Sequence, residues 1–210
     1  MTTPFQLATA RPPERCHNAA VAIATPLLTP QDVLEMIDRG ELLADEPFEL
    51  VDGEIVWLSL SKPRESETCG IIFGTLFPFA RAIGARIFDP SGGFMVGERL
   101  QQLRGPDVSL VTTERAHLIN LDGWVAGAPD LAVEVLSPGE YGEAYARTKV
   151  PEYLVAGAKV VWLVDPRRQT IREYLPSLPR FLTYRAEDTI TLAAIAPGFS
   201  TRVGSLFPDA

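Results

Sequence analysis

Pro129-Asp130-Leu131-Ala132-Val133-Glu134-Val135-Leu136-Ser137-Pro138 is the stretch on which the fold turns. From Leu131 to Leu136 the run is apolar and rich in valine, broken only by Glu134 and bounded by Pro-Asp and Ser-Pro. That pattern predicts a strand buried on both faces. A polar segment from Pro138 then leads into a predicted helix over Tyr141–Ala156. Lys159–Val164 follows as a second buried strand, ending at the turn signal Asp165-Pro166. Upstream, Thr29-Pro30-Gln31-Asp32 reads as a helix start, with a capping hydroxyl, proline at the first helical position and an acid in the first turn. Val33, Leu34, Met36 and Ile37 give that helix its apolar stripe, and Gly40 ends it. Phe48–Leu58 predicts a hairpin about Asp52-Gly53. Arg64–Ile83 reads as a helix closed by Gly84, with Pro78 inside it.

Shorter strands fit Ala85–Phe88, Phe94–Val96, Asp107–Val111, Thr170–Tyr174, Phe181–Tyr184 and Thr189–Leu192. The order of helix, hairpin, helix, several strands, helix and strands predicts an α/β or α+β fold with one mixed sheet flanked by helices. Residues 1–24, rich in Thr, Ala and Pro, read as a loose arm, and residues 25–210 as one domain. No internal repeat is evident.

The chain has 210 residues, 46 % hydrophobic and 22 % charged, which excludes wholesale disorder. Lysine and arginine number 19 against 27 aspartates and glutamates, a formal charge of −8. Such a chain repels free DNA at long range, so any contact with nucleic acid needs a local basic patch, a metal ion or a partner. The two cysteines, Cys16 and Cys69, and the two histidines, His17 and His117, support neither a disulfide framework, a zinc site nor a histidine triad. The first residues lack a signal-peptide pattern, and the longest apolar runs are too short to span a bilayer. A soluble cytoplasmic protein is the expectation.

Acids set within apolar strands are the chemical anomaly, because a buried carboxylate is costly unless it is paired or bound to a metal. In the hairpin, a two-residue turn puts Glu49, Val51, Glu54 and Val56 on one face. That face is either exposed to solvent or carries two acids inward. Gly105-Pro106-Asp107 places an acid at the start of a strand, which is also ordinary turn chemistry. Glu134, in mid-strand, requires a partner, either an ion pair or a metal. Asp130 shares its face but sits at the strand edge. Lys149, with Tyr153 four residues on, lies on the following helix, and Arg147 is a competing cation.

Phe48-Glu49-Leu50-Val51-Asp52-Gly53-Glu54, Pro106-Asp107-Val108, Ala128–Pro138 and Ala156-Gly157…Trp162-Leu163-Val164-Asp165-Pro166 together resemble the Uma-two family, a restriction-endonuclease branch of the PD-(D/E)XK nuclease superfamily. The resemblance runs in order from about Thr29 to Phe207. It implies a restriction-endonuclease-like core, a central mixed sheet flanked by helices, with a divalent metal site at one end. It carries metal-binding acids onto Asp107 and Glu134, with Glu49 as a further acid by the metal. The superfamily's lysine two residues after the second acid is Leu136 here, and the family pattern places it instead on the next helix, at Lys149, with Tyr153 beyond it. Pro151 falls just after Lys149. Where relatives often have histidine after Pro-Arg, this chain has Glu65.

Phosphodiester cleavage needs charge neutralised on the phosphate and a water made nucleophilic. A hard cation such as Mg²⁺ or Mn²⁺ needs only two or three carboxylates and keeps several waters. Asp107 and Glu134 would hold it, Glu49 would complete the site, and Lys149 would orient the water or stabilise the developing charge. Lys62, Arg64 and Tyr153 are the expected substrate contacts, DNA the expected substrate and a homodimer the expected assembly. Two other readings compete with this endonuclease: a catalytically inactive nuclease-fold binding module, and a metal-independent glycosidase that needs only two acids.

Overall fold

A computed structural model describes residues 27–42, 47–138 and 140–209. The arm expected over 1–24, with Cys16 and His17, lies outside the described residues. Helix α1 (Pro30–Asp38) starts at Thr29 as the sequence predicts. The Thr29 side chain accepts from the Asp32 amide, and the Asp32 carboxylate accepts from the Thr29 amide, a complete capping box. The hairpin β1 (Phe48–Val51) and β2 (Glu54–Trp57) has the predicted register, Glu49 opposite Val56 and Val51 opposite Glu54. Asp52 and Gly53 turn it at φ values of 49° and 78°, a left-handed pair that Asp-Gly tolerates.

Next come α2 (Pro63–Ala82), β3 (Arg86–Phe88), β4 (Phe94–Val96), β5 (Gln102–Arg104), β6 (Val108–Val111), β7 (Val125–Ala126), β8 (Leu131–Val135) and α3 (Glu140–Val155). The chain closes with β9 (Val160–Asp165), β10 (Thr170–Tyr174), β11 (Leu182–Arg185), β12 (Thr189–Thr191) and β13 (Ser200–Arg202). The fold is α+β, with mixed sheets flanked by helices. The single sheet expected from sequence is instead two larger sheets, ordered β2-β1-β5-β4-β7 and β11-β10-β9-β8-β6-β3, with β12-β13 as a separate ribbon. The division follows from β5, a strand too short to register in the sequence pattern. It pairs with β1 through Leu50 opposite Leu103, and so draws the hairpin away from the β8 sheet.

In the six-stranded sheet β8 and β9 run parallel and the other pairings are antiparallel. Every residue of β8 and β9 is buried, as expected of strands covered on both faces. Alternation sorts β8 cleanly. Leu131, Val133 and Val135 join the core beneath Ile72, Leu76 and Ala80 of α2. Ala132 and Leu136 join Ala146, Val150 and Tyr153 of α3 on the other side. Glu134 therefore points toward α3, and that phase decides its partners. Helix α3 passes through Pro151 without ending.

Leu131 is fully buried at the centre of this arrangement. Leu131→Ala should destabilise the protein by about 2–5 kcal/mol, the range for truncating a core leucine, read from the midpoint of urea unfolding.

Candidate active site

The two larger sheets meet α3 at a cluster of buried charge. Glu49 comes from β1 and is fully buried, Arg104 ends β5, Asp107 precedes β6, and Glu134 lies in β8. Tyr145, Lys149, Glu152 and Tyr153 recur along α3 at spacings of three and four, so one helical face delivers all of them.

Lys149 is the link between the sheets. Its Nζ lies 2.8 Å from Glu49 Oε1 and 3.0 Å from Glu134 Oε2, and its side chain is only 7 % exposed. Burial alone would lower its pKa, but Glu134 and Glu49 outweigh that and hold it above the usual ammonium range. Lys149 is thus a fixed positive charge at working pH and cannot act as a general base. Glu134 is held from its other side by the Tyr153 hydroxyl, which donates to Oε1 at 2.6 Å. Tyr153 is completely buried, so it offers no surface to a substrate; the expected substrate contact is instead a residue that positions Glu134.

Glu49 is engaged on both oxygens. Oε1 accepts from Lys149 and from the Gly105 amide at 3.3 Å, and Oε2 accepts from Tyr145 OH at 2.6 Å and Arg104 Nη1 at 3.0 Å. Burial pushes the Glu49 carboxyl up, but Lys149 and Arg104 outweigh it and hold the pKa below the ordinary value. Arg104 also forms a bidentate pair with Glu152, Nε to Oε2 at 2.7 Å and Nη2 to Oε1 at 2.9 Å. Burial and the Glu49 charge push the Tyr145 hydroxyl up to about 12, so it stays a donor.

Asp107 is half-buried and more open to solvent than Glu49 and Glu134. Its Oδ2 accepts from the Val135 amide at 2.6 Å, and the Cys69 thiol of α2 donates to the same carboxyl. Burial raises the Asp107 pKa against the pull of that amide and of Lys149. Burial likewise pushes Glu134 up to about 7, with the charges of Asp107 and Glu49 adding to the rise. Burial, then the charges of Asp107 and Glu134, push the Cys69 thiol well above its usual range, which makes it an inert donor.

The acids singled out in the sequence part into two places. Glu49, Asp107, Glu134 and Lys149 form one cluster, while Asp130 is fully buried elsewhere. It accepts from the Thr112 amide at 2.8 Å and pairs with Lys159 at 3.2 Å. Glu54 is exposed next to the hairpin turn. Lys62 and Arg64 stand exposed at the start of α2. Among the described residues no three His, Cys, Asp or Glu side chains close round one point as a metal-binding set, and the Lys149 ammonium lies between Glu49 and Glu134. Sequence reasoning missed Arg104, Tyr145 and Glu152. The helical spacing of Tyr145 and Glu152 about Lys149 was a usable signal; nothing in the short β5 distinguished Arg104 from surface arginines.

A family model described as "Uma2: Putative restriction endonuclease" matches residues 31–204. The chain belongs to the Uma2 family. The fold is similar to the crystal structure of "a putative nuclease belonging to DUF820 from Anabaena variabilis", with a TM-score of 0.69 and 19 % identity over 86 % of this chain and 97 % of that one. A comparison with curated proteins finds no match. The matched region, residues 31–204, includes Glu49, Asp107, Glu134 and Lys149, so the charge cluster lies within it.

Two outcomes are expected of this cluster. Arg104→Leu leaves Glu152 without its cation and Glu49 with Lys149 alone, and should cost about 3–5 kcal/mol, seen as a lower urea midpoint. An acid whose pKa rises on folding keeps its proton over a range in which the unfolded chain has released it, so its contribution to stability falls as pH climbs through that range. For Glu134 the range runs from its ordinary 4.5 to about 7. In metal-free buffer, Glu134→Gln should therefore gain stability relative to the parent between pH 5 and pH 7. A difference that stays constant between urea midpoints at the two pH values would contradict the assignment.

Proposed function

We propose that this protein is a divalent-metal-dependent endonuclease that hydrolyses DNA phosphodiester bonds. The observation that carries this reading is the convergence of acids from three separate strand segments with one buried ammonium beside them. The donor chemistry suits Mg²⁺ or Mn²⁺. Asp107 and Glu134 offer hard oxygens, both with pKa values raised by burial against the pull of Lys149. Across the cluster four carboxylates, of Glu49, Asp107, Glu134 and Glu152, face two cations, Arg104 and Lys149, leaving a formal excess of two negative charges. Two carboxylates and retained waters make an adequate set for Mg²⁺, which rarely has an all-protein cage.

A bound divalent ion there supplies Lewis-acid stabilisation of the scissile phosphate and lowers the pKa of a water. The residues do the rest. Asp107 and Glu134 hold the ion, Asp107 from the open side. Tyr153 and the Val135 amide fix the orientation of those two carboxyls. Glu49, whose lone pairs already serve four protein donors, anchors Lys149 and Arg104 in place of binding the ion directly. Lys149, permanently charged, orients the attacking water or stabilises charge developing on the phosphate. Lys62 and Arg64, exposed at the start of α2, are the phosphate contacts that offset the chain's overall −8. A homodimer would bring two such sites to the two strands.

A supercoiled plasmid incubated with Mg²⁺ or Mn²⁺ should be nicked or linearised, linear product marking paired sites. Asp107→Ala and Lys149→Ala should each slow cleavage by at least about 100-fold, the scale of losing one group that stabilises a transition state. Residual cleavage unchanged by either substitution, or none by clean parent protein, would leave the fold as a binding module.

A further inference from the structure

A cleft of about 450 Å³ opens past the ends of β8 and β9, lined among others by Leu136, Ser137, Glu143, Asp165, Arg167 and Arg168. The strand register places it. Ala132 and Leu136 pack toward α3, as Glu134 between them does, and Glu134 lies beside Leu163 of β9. Leu136 and Asp165 are therefore the next residues on that same face. The cleft begins one step beyond Glu134, on the side of the sheet that carries the charge cluster. Asp107, bonded to the Val135 amide, is about two strand spacings from Asp165, roughly 10 Å across the sheet edge. The carboxyl ends of parallel strands are where open α/β sheets ordinarily take their ligands.

The turn Asp165-Pro166-Arg167-Arg168 is firmly held. Asp165 Oδ1 accepts from the amides of Arg167 and Arg168, each at 3.0 Å, and Oδ2 accepts from Arg168 Nη1 at 2.7 Å. Glu143, the other acid of the cleft, accepts from Arg172 Nη1 at 2.9 Å. Both acids thus have a cation of their own. The Arg167 guanidinium is exposed and has no hydrogen-bond or ion-pair partner among the described residues; only its backbone amide is engaged. Arg167, Arg168 and Arg172 outnumber Asp165 and Glu143, which leaves one positive charge over in a chain of net charge −8. The exposed Ser137 stands on the same lining.

We infer that this cleft holds an unreacted phosphodiester of the DNA strand being cleaved, with the Arg167 guanidinium as its main contact and the Ser137 hydroxyl as a second donor. The inference rests on the nuclease reading and adds to it a backbone-binding site beside the reacting centre. Roughly 10 Å spans about three nucleotides at the ~3.4 Å rise of one strand, so the phosphate held lies within a few of the one cut. Arginine suits the task, because its planar fork matches phosphate oxygens and stays charged at any working pH. A phosphate contact carries no sequence information, so Arg167 sets the register of the strand and not the choice of site.

The full-length parent, Arg167→Ala, Arg167→Lys and Arg202→Ala are titrated against a short fluorescent DNA duplex in CaCl₂ at several NaCl concentrations, with binding read by anisotropy. Arg202, exposed on the separate β12-β13 ribbon, is the control for net charge. Arg167→Ala should bind about tenfold more weakly, the scale of one hydrogen-bonded charge. Its plot of log affinity against log salt should be shallower by about one, the loss of one phosphate contact. Arg167→Lys should recover the slope, Arg202→Ala should match the parent, and the Tm of Arg167→Ala should not fall, since its guanidinium has no protein partner. Parent-like affinity and slope in Arg167→Ala would overturn the inference, while plasmid nicking by the parent would keep the nuclease reading standing. An equal loss in Arg202→Ala would also overturn it, since net charge alone would then account for the change. A parent that neither binds the duplex nor nicks plasmid would remove the nuclease reading and this inference together.

Discussion

An ammonium buried between two carboxylates joins the two large sheets of this protein. Lys149 reaches Glu49 on one sheet and Glu134 on the other, and α3 brings it there because its face is set by the spacing of Tyr145, Lys149, Glu152 and Tyr153. Such a triad is poor as a stabilising device, since desolvating three charges offsets much of their attraction. It makes sense where the charges themselves are wanted. Around it the polar groups are almost fully paired, with Tyr153 holding Glu134, Tyr145 and Gly105 holding Glu49, and Arg104 locked to Glu152. The carboxylates are thereby fixed in direction before anything binds, which is what a preorganised electrostatic site requires.

The imbalance of charge within that frame matters as much as its rigidity. Arg104 and Lys149 both hold Glu49, Arg104 also pairs with Glu152 and Lys149 with Glu134, while burial pushes up the carboxyls of Asp107 and Glu134. These acids stand at the start of β6 and near the end of β8, with Cys69 of α2 close by. On the proposed reading, a chain of net charge −8 approaches a polyanion through an ion at that spot and through exposed cations such as Lys62 and Arg64.

Much of this was legible in the sequence, for identifiable reasons. The Asp-Gly turn set the hairpin register but left open which way the Glu49 face turned, and the apolar run about Glu134 required that acid to have a partner. The capping signals at Thr29 and the buried strands at 131–136 and 159–164 also agree closely with the observed elements. Three-residue and two-residue strands such as β5 and β7 carry no periodicity, so the separation into two sheets was invisible, and with it the role of Arg104. Tyr153 shared a helical side with Lys149, but only the phase of β8 shows that its hydroxyl meets Glu134 in the interior and not a ligand outside.

The claim on which the functional account stands is that Asp107 and Glu134 share one hard cation. Anomalous diffraction from crystals soaked in MnCl₂ tests it most directly. The account predicts a single strong peak about 2.0–2.6 Å from an oxygen of each of these two carboxylates, with the Lys149 ammonium beside it. A peak elsewhere, or none, with Lys149 still bridging Glu49 and Glu134, would contradict it.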